Sequence, residues 1–235
     1  MVFPTIVNKG TSYASSALLL DHPIDLPDSL VNGRIVLVVV GSRASTTTYT
    51  WPSGWIAPTA WTDGGNNGSV SIRYRVVDGS EGSSVTVSLN AAQQAVAWPW
   101  QISGQHTDAP VASARINYTG SITPDPPNLT PSWGAEDDLW IAGFAHGGTS
   151  GGVTGYPTSY ADNQEALAAT GTTVVEGAIA TRNLNATSDD PGTFSVTTSR
   201  QGVAFTLAIR PAAAVAAVSL LMRPGVRRMR PLLVR

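Results

Sequence analysis

The strongest constraint on the fold is an internal repeat. Residues 32–40 run from a glycine turn into an apolar strand, and residues 134–144 repeat this pattern about a hundred residues later. In each copy a polar loop with aromatic and proline residues follows, then two further strands and a closing strand. Four strands per copy predict about eight in all, an all-β chain. The predicted strands are 35–40, 70–77, 85–89 and 94–102 in the first copy, and 139–144, 172–181, 193–198 and 202–210 in the second.

Length and composition favour one large β domain. A chain of 235 residues is an ordinary length for a single sandwich, and only 13% of its residues are charged. Glycine and proline are plentiful, which is typical of many short strands joined by tight turns. The one helix-prone segment, 162–170, predicts one or two helical turns or a loop.

We therefore predict a single domain over residues 1–211. Its fold class is all-β, an antiparallel jelly-roll sandwich of about eight strands from two similar four-strand halves. A pair of immunoglobulin-like sandwiches is the competing fold. Four strands per copy are too few for it, because an independent immunoglobulin-like domain has about seven.

Two features missing from the sequence exclude several classes of protein. The chain has no cysteine, which excludes disulfides, thiolate-ligated zinc and a thiol nucleophile. Its N-terminus lacks the basic and apolar segments of a secretory signal, and no run reaches the roughly 20 apolar residues that span a bilayer. We expect synthesis in a cytoplasm without a signal peptide, and no membrane partner.

Residues 148–152 fit the G-x-S-x-G pattern of a nucleophile elbow, with Ser150 in the nucleophile position. His146 lies nearby, and Asp137 and Asp138 lie upstream, so a catalytic triad is conceivable. A nucleophile elbow needs a helix after the serine, and the residues that follow do not predict one. We expect a flexible loop here, no catalytic residue and no enzymatic activity.

Metal binding is not predicted either. His22, His106 and His146 are far apart and have no ligand spacing. The acidic groups at 136–138 and 189–190 could offer oxygen ligands to calcium, but neither has the spacing of a calcium loop. We interpret both as acidic turns at strand ends, and we expect no cofactor.

Three of the seven tryptophans, Trp51, Trp55 and Trp61, share one predicted loop. Flat indole rings can stack on sugars, so an exposed platform for a glycan is one interpretation. The other is that these side chains close one end of the sandwich. Trp140 lies within a predicted core strand, where we expect it to be buried.

The C-terminus differs sharply from the rest of the chain. Residues 1–210 contain 9 basic and 16 acidic side chains, whereas residues 211–235 contain five arginines and no acid. Apolar residues alternate with these arginines, which favours docking on a protein neighbour over nucleic-acid binding or a solvated tail. We predict an anchoring arm over 212–235, with partner-binding residues Leu220, Leu221, Met222, Arg223, Arg227, Arg228, Arg230, Leu232, Leu233 and Arg235.

Four segments carry a resemblance to a known family: NGRIVLV at 32–38, WPSGW at 51–55, ARINYTG at 114–120 and VAFTLAIRP at 203–211. Together they resemble the jelly-roll modules of tailed-bacteriophage virion proteins. The resemblance implies a non-enzymatic structural or adhesive role on the virion, after synthesis in the host cytoplasm.

Two functions fit this resemblance. The first is a capsid decoration or cement protein, with other virion proteins, including capsid subunits, as partners and a homo-oligomer such as a trimer as its assembly. The alternative is a carbohydrate-binding tail or adhesion module that contacts a host glycan.

Overall fold

The computed structural model describes residues 2–43, 47–148, 151–170 and 173–214. Within these ranges the regular elements are β-strands, paired antiparallel in two large sheets and one small one. The all-β class is confirmed. The first sheet contains β1 (Thr5–Lys9), β2 (Tyr13–Asp25), β3 (Ile35–Ser42), β4 (Tyr49–Thr50), β5 (Gly64–Gly65), β6 (Ser69–Val76) and β7 (Ser84–Ser103). The second contains β8 (Val111–Ala112), β9 (Ile116–Ser121), β10 (Glu136–Gly148), β12 (Ala161–Thr170), β13 (Thr173–Ala186) and β15 (Arg200–Ile209), while β11 (Val153–Gly155) pairs with β14 (Ser195–Val196).

The two large sheets repeat the same strand order. In the first, β1 and β2 line one side of β7, followed by β3, β6 and β5. In the second, β8 and β9 line one side of β15, followed by β10, β13 and β12. The short strand β4 pairs with the first half of β7, just as β11 pairs with β14. The repeat predicted from the sequence is therefore present in the fold.

Each sheet comes from one half of the chain. In a jelly roll each half would contribute strands to both sheets, and the strand orders of the described residues do not show that connectivity. The two sheets pack face to face through a shared apolar core, as in a β-sandwich.

The central strands β3 and β10 are buried on both faces, as their apolar sequences predict. In β3, Ile35, Leu37 and Val39 face the shared core, while Val36 and Val38 face a second core on the outside of the first sheet. Burying side chains of this size contributes about 1.5–3 kcal/mol each. The shared core also contains Trp98, Trp100, Leu139, Ile141, Val203, Phe205, Leu207 and Ile209.

The outer faces of both sheets are covered as well. The bent strand β7 places Val85, Val87 and Leu89 over the outside of the first sheet. A third core lies outside the second sheet, where Trp140 is fully buried and its Nε1 donates to the carbonyl of Leu184 at 3.1 Å. The predicted burial of Trp140 is confirmed.

Several sequence predictions need correction. Segment 162–170 is neither helix nor loop: it lies in β12, because the sheet edge beside β13 imposes strand geometry on helix-prone residues. The separate predicted strands 85–89 and 94–102 are one bent strand, β7. Strands β8 and β9 follow the first copy in the sequence, and both pair with β15 in the second sheet. The prediction also missed β1 and β2.

The described residues contain no helix long and apolar enough to cross a membrane.

Candidate functional site

The most concentrated buried chemistry lies near the end of β10, on the outer face of the second sheet. His146 and Glu176 are directly opposite each other on β10 and β13, with His146 Nε2 3.0 Å from Glu176 Oε2. Tyr118 of β9 completes the group, with its hydroxyl 3.3 Å from His146 Nδ1. Both side chains of the His146–Glu176 pair are at most 2% exposed. We call these three residues the polar cluster.

Glycines make room for the polar cluster. Gly202 of β15 lies opposite His146, and a Cβ at this glycine would come within 2.6 Å of both His146 Cβ and the Tyr118 hydroxyl. A Cβ at Gly68 would come within 2.6 Å of His146 Cα. Burial, and then the nearby Glu176 carboxyl, raise the pKa of Tyr118 far above its usual value. Tyr118 is therefore a neutral hydrogen-bonding group.

The described hydrogen-bond partners of His146 are Glu176 and Tyr118, and neither is a serine nucleophile. One neutral imidazole tautomer satisfies both contacts, with Nε2–H donating to Glu176 and Nδ1 accepting from Tyr118. Both ring nitrogens are then occupied. Asp138 lies eight residues back along β10, roughly 27 Å away at strand rise. Ser150 lies outside the described residues, so the structure does not test the loop predicted at the G-x-S-x-G pattern.

Glu176 is incompletely paired. Its Oε1 is buried and makes no hydrogen bond with the described protein groups. A Cβ at Gly151 would lie 3.3 Å from Oε2, so the chain covers the carboxyl closely on that side. Burying a carboxyl oxygen without a hydrogen bond costs folding free energy. This end of the second sheet therefore carries an energetic penalty that the rest of the fold offsets.

The first sheet has a different cluster at the matching position. Ser42 and Ser69 are opposite each other at the end of β3, and their hydroxyls lie 2.9 Å apart. The Tyr49 hydroxyl bonds to both, at 2.9 Å and 2.8 Å, and Thr47 is 3.0 Å from Ser42. Burial raises the pKa of Tyr49 far above its usual value. This group, the hydroxyl cluster, contains no ionisable acid or base at neutral pH.

The three loop tryptophans do not form one platform. Trp51 and Trp55 are half-buried neighbours, with ring centroids 5.4 Å apart and planes tilted by 38°. Trp51 Nε1 donates to Ser71 at 2.9 Å, and the guanidinium of Arg73 lies 5.9 Å from its ring. Trp61 is only 7% exposed and packs edge-on against Phe205 in the shared core. The structure thus separates Trp61 from the other two.

An exposed apolar feature lies on β2, a strand that the sequence prediction missed. Leu18, Leu19 and Leu20 are 60%, 36% and 53% exposed, on a strand paired only with β7 in the described sheet. The pairing register shifts on both sides of Leu19, which interrupts the alternation that would turn half of these side chains inward. We call these residues the leucine ridge. Its signal in the sequence is three consecutive leucines between polar residues.

The acidic groups that could have held calcium are paired with protein groups. Glu136 forms an ion pair with Arg210 at 2.6 Å, and Asn185 donates to Asp137 at 2.8 Å. Asp189 accepts from Tyr160 at 2.6 Å and from Arg182 at 3.1 Å. Within the described ranges, no three His, Cys, Asp or Glu side chains converge on a possible metal position.

Asp138 is the most perturbed of these acids. It is fully buried, and its carboxylate accepts from Trp133 Nε1 at 3.1 and 3.2 Å. Burial raises its pKa to about 6, and the Trp133 bond only partly offsets this. This residue occupies the entrance of β10, where the first sheet has Arg34.

The other two histidines also lie apart from the polar cluster. His22 is buried with its Nδ1 3.0 Å from the Tyr13 hydroxyl, and burial lowers its pKa. His106 Nδ1 lies 3.1 Å from Asp108, near the end of β15. The three histidines are thus not brought together, in line with their spacing in the sequence.

The predicted arm residues from Leu220 to Arg235 lie outside the described residues, so their roles remain predictions. The described chain ends at residue 214. Just before this point Pro211 bridges to Gln105, and the amide of Ala212 donates to the carbonyl of Gly104 at 2.7 Å. The chain therefore leaves the sandwich beside the end of β7.

Comparison with known proteins does not assign the chain to a family. No protein-family model, no curated protein and no solved structure matches the chain.

Proposed function

We propose that this protein is a non-enzymatic structural component of a tailed-phage virion. Its role would be to decorate the capsid, with the sandwich as the body and the C-terminal arm fastened to neighbouring subunits. The virion setting rests on the resemblance of four sequence segments to phage jelly-roll modules. The jelly-roll assignment itself rests on those segments and not on the strand connectivity.

The observation that carries the assembly role is the leucine ridge. An exposed apolar edge strand pairs readily with another chain, and natural proteins usually cover or charge such edges. Leu18, Leu19 and Leu20 remain 36–60% exposed among the described residues, although Asp21 and Pro23 follow them on β2. A protein partner is the cover that fits best, either another virion protein or a second copy in a homo-oligomer.

The polar cluster supports the non-enzymatic part of the proposal. His146 has both ring nitrogens engaged inside the fold, and the cluster is closed by Tyr118 and glycine-lined backbone. A general base needs access to the proton that it removes. No such access is built around His146 by the described residues.

The direct experiment is to image particles assembled with the full chain or with residues 1–211 alone. The full chain should appear as density at regular positions on the capsid. Residues 1–211 should fold, as judged by an unchanged melting temperature, but should be missing from the particles. Normal incorporation of residues 1–211 would overturn the anchoring role.

Two arm variants separate the partner classes. Replacing Leu232, Leu233 and Val234 by serine keeps every arginine, whereas replacing Arg227, Arg228 and Arg230 by glutamine keeps every apolar residue. If the arm docks on a protein, the serine variant should lose incorporation into particles more strongly than the glutamine variant. A greater loss in the glutamine variant, with salt-sensitive DNA binding by the intact protein, would favour nucleic acid instead.

The second candidate function is carbohydrate binding, and the Trp51–Trp55 pair favours it. The two rings are adjacent and half-buried, which offers a stacking surface, and the guanidinium of the neighbouring Arg73 is held by Asp63. In a glycan-binding assay Trp55→Ala should abolish retention if this surface binds sugar. Trp133→Ala, at a half-buried tryptophan in the other half, is the matched control. Unchanged retention in Trp55→Ala with a lower melting temperature would assign the pair a structural role.

A further inference from the structure

A cleft of about 480 Å³ lies between the edge of the first sheet and the second sheet. Pro4 and Ile6 form one side, Leu139 and Ala161 contribute apolar surface, and polar residues that include Asp162, Arg182 and Asn183 line the rest. An ion pair of 2.6 Å between Lys9 and Asp162 joins the two sheets beside it. We call this cavity the edge cleft.

Two strand edges form the walls of the edge cleft. On one side, β1 is paired only with β7. On the other side, the pairing of β12 with β13 stops at Ala161, opposite Thr181, so residues 182–186 of β13 pair only with β10. An extended peptide is the ligand that suits such walls, because strand edges offer backbone hydrogen bonds and the cleft offers contacts for alternate side chains.

The end of the described chain lies close to the edge cleft. Ala212 is hydrogen-bonded to Gly104, and a Cβ at Gly104 would lie 3.7 Å from Pro4 Cα, which begins the cleft. Leu220 lies six positions beyond Ala214, and six residues in extended form span about 20 Å. The first apolar run of the arm can therefore reach the cleft of its own chain.

The sequence of that run suits the edge cleft. In residues 218–222, Val218, Leu220 and Met222 alternate with Ser219 and Leu221, so an extended segment here would have one wholly apolar face. Such a face matches Ile6, Leu139 and Ala161. The run contains no charge, and all five arginines of the arm follow it.

The charge around the exit supports the same placement. The carboxyl groups of Asp108, Glu136 and Asp137 lie at this end of the sandwich, together with Arg210. An arm held in the edge cleft would keep its arginines near this acidic end, where they are attracted.

We propose that residues 218–222 bind as an extended segment in the edge cleft of the same chain. This binding fixes the root of the arm, so that the arginine-rich remainder leaves the sandwich at a defined place. The inference concerns the isolated protein and goes beyond the proposed function. It is tested in solution, where the outcome does not depend on incorporation into particles.

The absence of cysteine in the natural chain allows a clean cross-linking test. Asn183→Cys places a thiol in the edge cleft, and Ser219→Cys places one in the run. The matched control combines Ser219→Cys with Ser199→Cys, an exposed position at the other end of β15. Dilute protein is oxidised, and the disulfide is located by mass spectrometry and non-reducing gels.

We expect the Asn183/Ser219 pair to form an intrachain disulfide about ten times faster than the control pair, because docking raises the effective concentration of the two thiols. Adding Leu220→Asp and Met222→Asp should reduce this rate to that of the control. Equal rates for the two pairs, or a disulfide mainly between chains, would overturn the proposal. Mixing the two single-cysteine variants measures the interchain reaction directly.

Discussion

The ends of β3 and β10 occupy the same place in the repeated fold, yet they are built from opposite chemistry. At the first, Ser42, Ser69 and Tyr49 form a neutral network whose hydroxyls bond to one another. At the second, His146 and Glu176 form an acid–base pair that leaves one buried carboxyl oxygen without a partner among the described residues. The same strand framework contains both arrangements, but only the first gives all of its described buried polar groups a hydrogen-bond partner at a low cost in free energy.

A buried histidine paired with an acid is not by itself a catalytic group. A His–Glu pair near a G-x-S-x-G pattern suggests catalysis, but its position matches a pair of serines that serve packing and hydrogen bonding in the other half. Buried ion pairs are also weak evidence for stability, because desolvation offsets much of their attraction. The comparison therefore favours a structural role for both clusters.

The largest expected difference between the two ends comes from removing one partner. His146→Ala leaves the Glu176 carboxyl buried without a partner, and it should lower the free energy of unfolding by about 3–5 kcal/mol. Ser42→Ala leaves hydroxyls that can still bond to each other, and should cost about 1–2 kcal/mol. Urea unfolding of both variants measures the difference. Equal losses would mean that the two ends are energetically alike despite their chemistry.

The entrances of the same two strands differ in their response to pH. The pKa of Asp138 is raised from 3.8 to about 6 in the folded protein, so its contribution to stability is present below pH 4 and is lost as the pH rises through 6. Asp138→Asn removes the ionisable carboxyl and therefore this loss of stability at higher pH. Relative to the natural chain, the variant should gain about 1–3 kcal/mol between pH 4 and pH 7.

Arg34, at the matching position in the first half, bonds to Gln101 at 2.9 Å and provides the control. Arg34→Gln should change stability equally at pH 4 and pH 7, because a guanidinium keeps its charge over this range. If Asp138→Asn shows no pH-dependent gain, the carboxyl is better solvated than its burial indicates.

A smaller contrast is expected for the two tyrosines. Tyr49→Phe removes a hydroxyl that bonds to Ser42 Oγ, Ser69 Oγ and the Ser69 carbonyl, and should cost about 1–3 kcal/mol. Tyr118→Phe removes one contact of 3.3 Å to His146 and should cost about 0.5–1.5 kcal/mol. Thermal unfolding of the pair checks the order. A larger loss for Tyr118→Phe would show that the polar cluster depends on its tyrosine more than the hydroxyl cluster does.

The smallest effect on stability is expected at the surface. Leu18→Ser with Leu20→Ser should change the free energy of unfolding by no more than about 0.5 kcal/mol, because both side chains are exposed. The same variant should lose self-association, measured by sedimentation, or binding to particles, measured by its incorporation. Ile116→Ser, at an exposed position on the corresponding strand β9, should alter neither property. Unchanged association in the leucine variant would remove the ridge from the proposed interface.

The sequence predicted the framework of the fold better than its edges. The paired apolar strands β3 and β10 are visible as uninterrupted runs, and the alternation of Val203, Phe205, Leu207 and Ile209 correctly predicts one buried face. Strand β12 could not be predicted, because its alanine-rich sequence favours helix and only the neighbouring β13 makes it a strand. The leucine run in β2 lacks the alternation that marks a strand, because bulges interrupt its register.

The polar cluster was only partly visible in the sequence. His146 was a candidate, but its partner Glu176 lies 30 residues away on the neighbouring strand, and pairing across a sheet cannot be inferred from spacing in one chain. The expected partners Asp137 and Asp138 lie at the opposite end of β10. The burial of Trp61 likewise depends on Phe205, which comes from the other half of the chain.

The copy number per particle of a His146→Gln/Glu176→Gln variant, compared with that of residues 1–211, separates the role of the polar cluster from the role of the arm. The double variant keeps hydrogen-bonding groups of similar size but removes the acid–base pair. If the clusters are structural and the arm holds the protein to its neighbours, the double variant is incorporated at the natural level and residues 1–211 are absent. The opposite result would be loss of the double variant from particles while it remains folded, with normal incorporation of residues 1–211. It would contradict both the structural role of the clusters and the anchoring role of the arm.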